Sequence, residues 1–175
     1  MEGVVSRNQT MRGHGDFELA RRRLTMDVNE VIRASLDAGA KEIVVCDGHA
    51  DMENLLLDEL NPAADLISGA MRSSLQMQGI EEGFDAMVLF GHAGGGMTIG
   101  GVIDHTYNGR KVYGLRVNGI VMNTEAVFNA MVAGYYGTPL VTIIGDKAVV
   151  GEVKAHIPSC EGVIVKYGIS RFSAR

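Results

Sequence analysis

Residues 139–170 read PLVTIIGDKAVVGEVKAHIPSCEGVIVKYGIS, and how they are parsed decides the fold. PLVTIIGD (139–146) is apolar without alternation, as a strand covered on both faces is. KAVVGEVKAHI (147–157) has helical character and stops at Pro158. GVIVKYGIS (162–170) is a second apolar run and predicts a final strand. Parallel neighbours need a crossover connection, and strand, helix, strand in this order supplies one.

The same alternation extends upstream. DAMVLFG (85–91) is the clearest buried strand, and NTEAVFNAMVAGYY (123–136) is a helix with Asn123 or Thr124 as N-cap. Between Phe17 and Ala38, apolar residues at Ala20, Leu24, Val28, Val31, Ile32 and Leu36 keep helical spacing, with Gly39 as the stop. KEIVVCD (41–47) and ADLISG (64–69) read as strands. DMENLLLDEL (51–60) reads as a short helix ended by Asn61-Pro62. SSLQMQGIEEG (73–83) is an irregular or helical connection, while GGVIDHTY (100–107) and RKVYGLRVNG (110–119) alternate enough to predict strands. No repeat or linker interrupts the series. The expected architecture is α/β, three αβα layers around a largely parallel sheet, with residues 1–175 forming one domain.

Bulk properties narrow the function classes. A net charge of −5, from 16 basic and 21 acidic residues, argues against a nucleic-acid or anionic-membrane surface. The one basic run, Arg21-Arg22-Arg23, falls inside a helix and reads as a solvated face. Two cysteines, Cys46 and Cys160, are too few for a disulfide framework; Cys46 reads as a buried free thiol, which suits a reducing, cytoplasmic setting. No apolar stretch reaches the length of a membrane span.

In open α/β sheets, ligands bind beyond the carboxyl ends of the strands. EIVVCD runs into Gly48-His49, MVLFG into His92, and VTIIG into Asp146. Each imidazole is either a hydrogen-bonded loop residue or a metal ligand. Asp146 is better read as the cap of the helix that follows it. His14 and His156 read as structural or solvated. The opening MEGVVSRNQT leaves two readings for Glu2, a solvated terminal residue or the tail of a motif that follows a strand.

GHAGGGMTIGG (91–101) invites a phosphate-loop reading, because backbone N–H groups in glycine-rich turns cradle anions. It holds neither a G-x-G-x-x-G motif nor a lysine-bearing phosphate loop. The alternatives are glycines that let the backbone approach a metal or substrate closely, or a mobile flap. Glu125 opens a helix, where the dipole alone justifies an acid facing solvent. Val127, Met131 and Tyr135 form a stripe that reads as packing.

An ordered set of segments carries a resemblance over nearly the whole chain. These are MEG (1–3), VVCDGHADMENLLLDEL (44–60), ADLISG (64–69), LFGHAGG (89–95), HTY (105–107), NTEAVFNAMVAGYYGTPLVTIIGD (123–146) and ISR (169–171). Together they resemble the zinc-dependent D-aminopeptidases of the DppA type. The resemblance implies an α/β fold, a site with two Zn²⁺ ions, short peptides with N-terminal D-residues as substrates, and a large ring-like homo-oligomer. By the same resemblance Glu2 matches the second ligand of an Asp-x-Glu-Gly motif. Its bridging aspartate would stand just before Met1, making Met1 an internal residue of a longer protein that also continues past Arg175. His49 matches a ligand of the first zinc, His92 and Glu125 match ligands of the second, and His105 matches the catalytic histidine. Without the bridging aspartate, the pair of cations would be poorly held.

The residue types suit the implied chemistry, because zinc accepts neutral imidazoles and carboxylates, and a histidine outside the ligand set can shuttle a proton to a leaving amine. Two other functions compete. One is a phosphate- or nucleotide-binding α/β protein using the Gly94–Gly96 loop, which requires a helix immediately after that loop. The other is a non-catalytic relative that keeps the fold and binds no metal.

Overall fold

The computed structural model describes residues 3–175, which divide into two compact units. One is Asn8–Glu82; the other is Gly83–Arg175 together with the N-terminal segment up to Arg7.

The Asn8–Glu82 unit is built on helix α1 (Phe17–Asp37), which buries Phe17, Ala20, Thr25, Val28 and Ile32. Its stop is the expected one: Gly39 adopts φ +98° and its N–H returns to the Leu36 carbonyl. Strands β1 (Val44–Cys46) and β2 (Asp65–Ile67) pair in parallel, with Val45 opposite Leu66. Short 3₁₀ turns follow at Leu57–Glu59, Leu75–Met77 and Ile80–Glu82.

Residues 51–60 depart from the expected helix and hold only that one 3₁₀ turn. Side chains from elsewhere take the backbone groups a helix would have paired internally. Asp47 accepts the N–H groups of Asn54 (2.5 Å) and Leu55 (2.8 Å), and the Thr25 hydroxyl accepts that of Leu56 (3.0 Å). The Arg21 guanidinium donates to the carbonyls of Asn54, Glu53 and Leu55. Arg21 is therefore a partly buried strap between α1 and this segment, and only Arg22 and Arg23 of the basic run lie on the solvated face.

Thr25 is fully buried. Replacing it by Val keeps the shape and leaves the Leu56 N–H unpaired, an expected loss of about 1–2 kcal/mol that Thr25→Ser largely avoids. Urea midpoints of the two variants measure this, and equal midpoints would refute a stabilising role for the Thr25–Leu56 bond.

The second unit carries the parallel sheet read from residues 139–170. Its strands are β3 (Met87–His92), β6 (Leu140–Asp146) and β7 (Glu161–Lys166), in the order β3-β6-β7, all parallel. Between β3 and β6 come a small antiparallel pair, β4 (Arg116–Val117) with β5 (Ile120–Val121), and helix α2 (Glu125–Tyr135). Helix α3 (Lys147–His156) connects β6 to β7. Ile157, at φ −129° and ψ 78°, has left the helical region that a residue before proline avoids, and the helix ends before Pro158 as expected. The last apolar run breaks after Lys166 into a separate hairpin, β8 (Gly168–Ser170) with β9 (Ser173–Ala174).

Ile143, Val149, Val153, Ala126 and Cys160 form the fully buried centre of this unit, with Leu89, Val127 and Leu140 around them. Alanines at 126, 130 and 133 give α2 a smooth buried face. The expected packing stripe is overturned beyond Val127: Met131 is 44% and Tyr135 85% exposed. The apolar–small face occupies the core side, so these two larger residues are turned to the surface. Cys46 is part-buried and free, and Cys160 buried and free.

Residues 100–107 are not a strand, and of 110–119 only Arg116–Val117 is paired. Ile103 and Tyr107 hold positive φ values (57° and 49°), incompatible with an extended ladder. The chain is thus an α/β protein whose main sheets are parallel. No helix among the described residues is long and apolar enough to cross a membrane.

Candidate functional site

β3 ends in the first candidate. A bulge between Phe90 and His92, with Gly91 at φ +76°, re-aims the chain so that His92 lies opposite Gly145 of β6. Burial holds the His92 imidazole below its usual pKa; Glu125 pulls it upward, and His105 pushes it down again. Those influences place His92, Glu125 and His105 in one electrostatic neighbourhood, with His92 kept neutral.

Thr124 caps α2, its hydroxyl accepting from the Ala126 N–H (3.3 Å). This sets Glu125 in the first turn with only 9% exposure, so the solvent-facing reading is overturned. One carboxylate oxygen accepts the Tyr107 N–H at 2.6 Å and stands 3.6 Å from His105 Nε2. The Tyr107 ring stacks edge-on to Phe128, and its hydroxyl donates to Asn129 (3.0 Å). Burial, aided by the Glu125 charge, raises the Tyr107 pKa far above the usual phenol value, so Tyr107 stays a neutral donor.

His105 Nδ1 is 2.7 Å from the Ile103 carbonyl. A carbonyl only accepts, so Nδ1 carries the proton and Nε2, the nitrogen beside Glu125, keeps the lone pair in the neutral ring.

His49, in the other unit, follows β1 and is exposed. Its Nε2 is 2.7 Å from the Thr10 carbonyl, which by the same argument leaves Nδ1 with the lone pair. The loop is fixed by Asn54, whose amide donates to the His49 carbonyl and to Asp47. Glu2 lies outside the described residues. Among the described residues no three His, Cys, Asp or Glu side chains already converge as closely as a metal requires. His14 and His156 are exposed, as read from the sequence.

Asp146 is a cap, but a broader one than the sequence predicted. It accepts from Val149 N (2.8 Å) at the start of α3 and also from Val102 N (2.8 Å) and Gly94 N (3.3 Å). The glycine loop after His92 spends its other N–H groups similarly: Gly95 on Glu152, Gly96 on Thr106 and Met97 on Asp104. Four consecutive donors that a phosphate would need are thus engaged by side-chain oxygens, and the next helix begins only at Glu125. Both observations count against the phosphate-loop reading. The glycines instead serve close backbone approach. A Cβ on Gly95 would fall onto the backbone of Asn123, the residue that leads into Thr124 and Glu125.

Sequence reasoning missed Asp104, which is 7% exposed and holds both Met97 N and the Arg171 guanidinium. Its position before His105 was visible; its partner 67 residues away was not.

Known proteins agree with this architecture. A family model described as D-aminopeptidase matches residues 1–175. A D-aminopeptidase of Bacillus subtilis (strain 168) is 31% identical over 166 residues, 93% of this chain and 58% of that protein. A solved structure described as the Zn-dependent D-aminopeptidase DppA from Bacillus subtilis, a self-compartmentalizing protease, matches with a TM-score of 0.96 and 29% identity. That match covers 99% of this chain and 62% of that one. The chain therefore spans about three fifths of the length of these relatives. With a parallel αβα fold and a family match that runs from end to end, the chain belongs to the D-aminopeptidase family.

Proposed function

We propose that the protein carrying this chain is a zinc-dependent aminopeptidase that removes N-terminal D-residues from short peptides such as D-Ala-D-Ala. The observation that carries this reading is the family match over residues 1–175, supported by the Zn-dependent relative. The proposed ligands are Glu2, His49, His92 and Glu125, around two Zn²⁺ ions, with His105 catalytic. The enzyme is a single-domain, cytoplasmic protein that assembles into a large ring-like homo-oligomer; of these features, only the self-assembly draws support from the relative described as self-compartmentalizing.

The donors suit zinc. His92 is kept neutral by burial, and Glu125 offers a carboxylate oriented by the Tyr107 N–H. His49 has its Nε2–H on a backbone carbonyl, the arrangement that leaves the other nitrogen to a metal. When bound, zinc supplies a water of lowered pKa and polarises the scissile carbonyl. The chain's own residues do the rest. His105, with Nδ1–H fixed on Ile103, can take a proton only at Nε2, the nitrogen 3.6 Å from the Glu125 carboxylate. That proton can then pass to the leaving amine. Tyr107, held neutral, fixes Asn129 beneath Glu125 on the same helix.

The test is bound zinc per chain together with hydrolysis of D-Ala-D-Ala against L-Ala-L-Ala. The expected result is bound zinc, preferential cleavage of the D-dipeptide, loss of activity on chelation and recovery with added zinc. A protein that binds no metal and cleaves neither dipeptide would overturn the proposal and leave a non-catalytic relative.

A further inference from the structure

His105 sits on a segment that has no regular secondary structure to hold it. Ile103, whose carbonyl fixes the His105 tautomer, is a β-branched residue at φ +57°. Such a conformation is strained for a side chain with a branched Cβ and persists only where surrounding contacts enforce it. The C-terminal hairpin supplies those contacts. The Ile103 N–H donates to the Arg171 carbonyl at 2.7 Å. The Arg171 side chain donates through Nη2 to the Asp104 carbonyl (2.8 Å) and through Nε to its carboxylate (2.7 Å). The other Asp104 oxygen holds Met97 N (2.6 Å), so one buried carboxylate joins the hairpin to both ends of the loop. At the hairpin's other strand end, Gly168 lies against the Gly100 carbonyl with no room for a Cβ. The hairpin therefore grips the segment at Gly100 and again at 103–104.

We infer that Arg171 is a positioning residue for His105: clasping Ile103 and Asp104 from the β8–β9 turn, it holds the Ile103 carbonyl where it keeps the proton on His105 Nδ1 and aims Nε2 at Glu125. The inference rests on the proposed function for its catalytic consequence, but its structural half does not. Arg171 is nearly half exposed and also stacks over Phe172 (5.5 Å), so its removal leaves the core of the unit intact.

The experiment compares wild type, Arg171→Ala and Arg171→Lys. In metal-free protein at a pH where the imidazoles are neutral, long-range ¹H–¹⁵N spectra report which His105 nitrogen is protonated. Wild type should show the Nδ1–H form and Arg171→Ala a mixture with Nε2–H. Arg171→Lys, which keeps a cation beside Asp104 but not the second donor, should fall between them and also covers the case in which the alanine variant folds poorly. In the zinc-loaded protein, Arg171→Ala should lose about 10- to 100-fold in kcat with KM near wild type and zinc per chain unchanged. An unshifted Nδ1–H signal in Arg171→Ala would overturn the inference. So would a wild-type kcat, or a loss of zinc in step with activity. If wild type hydrolyses no D-peptide, the proposed function fails while the tautomer comparison still decides this inference.

Discussion

Replacing Glu125 by Gln is expected to lower kcat/KM for a D-dipeptide about 10³-fold, equivalent to ~4 kcal/mol of transition-state stabilisation, and to reduce bound zinc. The substitution is nearly isosteric, and the amide oxygen can still accept the Tyr107 N–H that the carboxylate accepts now. Helix α2 keeps its Thr124 cap and its alanine face. What disappears is one negative charge in a site with 9% exposure, 3.6 Å from His105 Nε2. Two things are lost together: a proposed anionic ligand, and the carboxylate that stands beside His105 Nε2. Unchanged circular dichroism with the predicted fall in kcat/KM and zinc content would support the assignment. A variant with full zinc and wild-type kcat/KM would remove Glu125 from the site.

The second large effect is on stability. Asp146→Ala is expected to destabilise the protein by about 3–5 kcal/mol, because three buried N–H groups lose their acceptor at once. One is the α3 cap, whose loss alone costs about 1 kcal/mol. The other two belong to Gly94 and Val102, on either side of the loop after His92. Asp146→Asn retains one acceptor oxygen and should cost about half as much. Urea unfolding with an unchanged slope measures both variants. An alanine variant within about 0.5 kcal/mol of wild type, the range of an ordinary surface change, would show that these bonds are replaced by water.

The two predictions differ in how much of them was visible in the sequence. Asp146 as a cap follows from its place between an apolar run and a helical one, since capping involves a residue and the N–H two or three positions on. Its bonds to Gly94 and Val102 span 52 and 44 residues, and nothing local announces them. Glu125 was ambiguous for a related reason. A carboxylate in a first helical turn is favourable in water or in a protein, and only the loop delivering Tyr107 and His105 decides which surrounds it.

The same distinction separates what each level of description determined. The sequence by itself determined α1, α2 and α3, the strands within 41–47, 64–69, 85–91 and 139–146, and the parallel arrangement, because periodicity, caps and the crossover rule act over a few residues. The ordered segments also identified the family, later matched over the whole chain. Tertiary structure decided the rest. Residues 51–60 were withheld from the helix their pattern allows, because Asp47, Thr25 and Arg21 satisfy that backbone from outside. Residues 100–107 became a clasped loop because Arg171 and Asp146 take their backbone groups, and Met131 and Tyr135 went to the surface because the alanines of α2 took the core. In each case a buried backbone group or helix face had two admissible partners, one near in sequence and one distant. The distant one prevailed because folding had already brought it within hydrogen-bonding or packing distance.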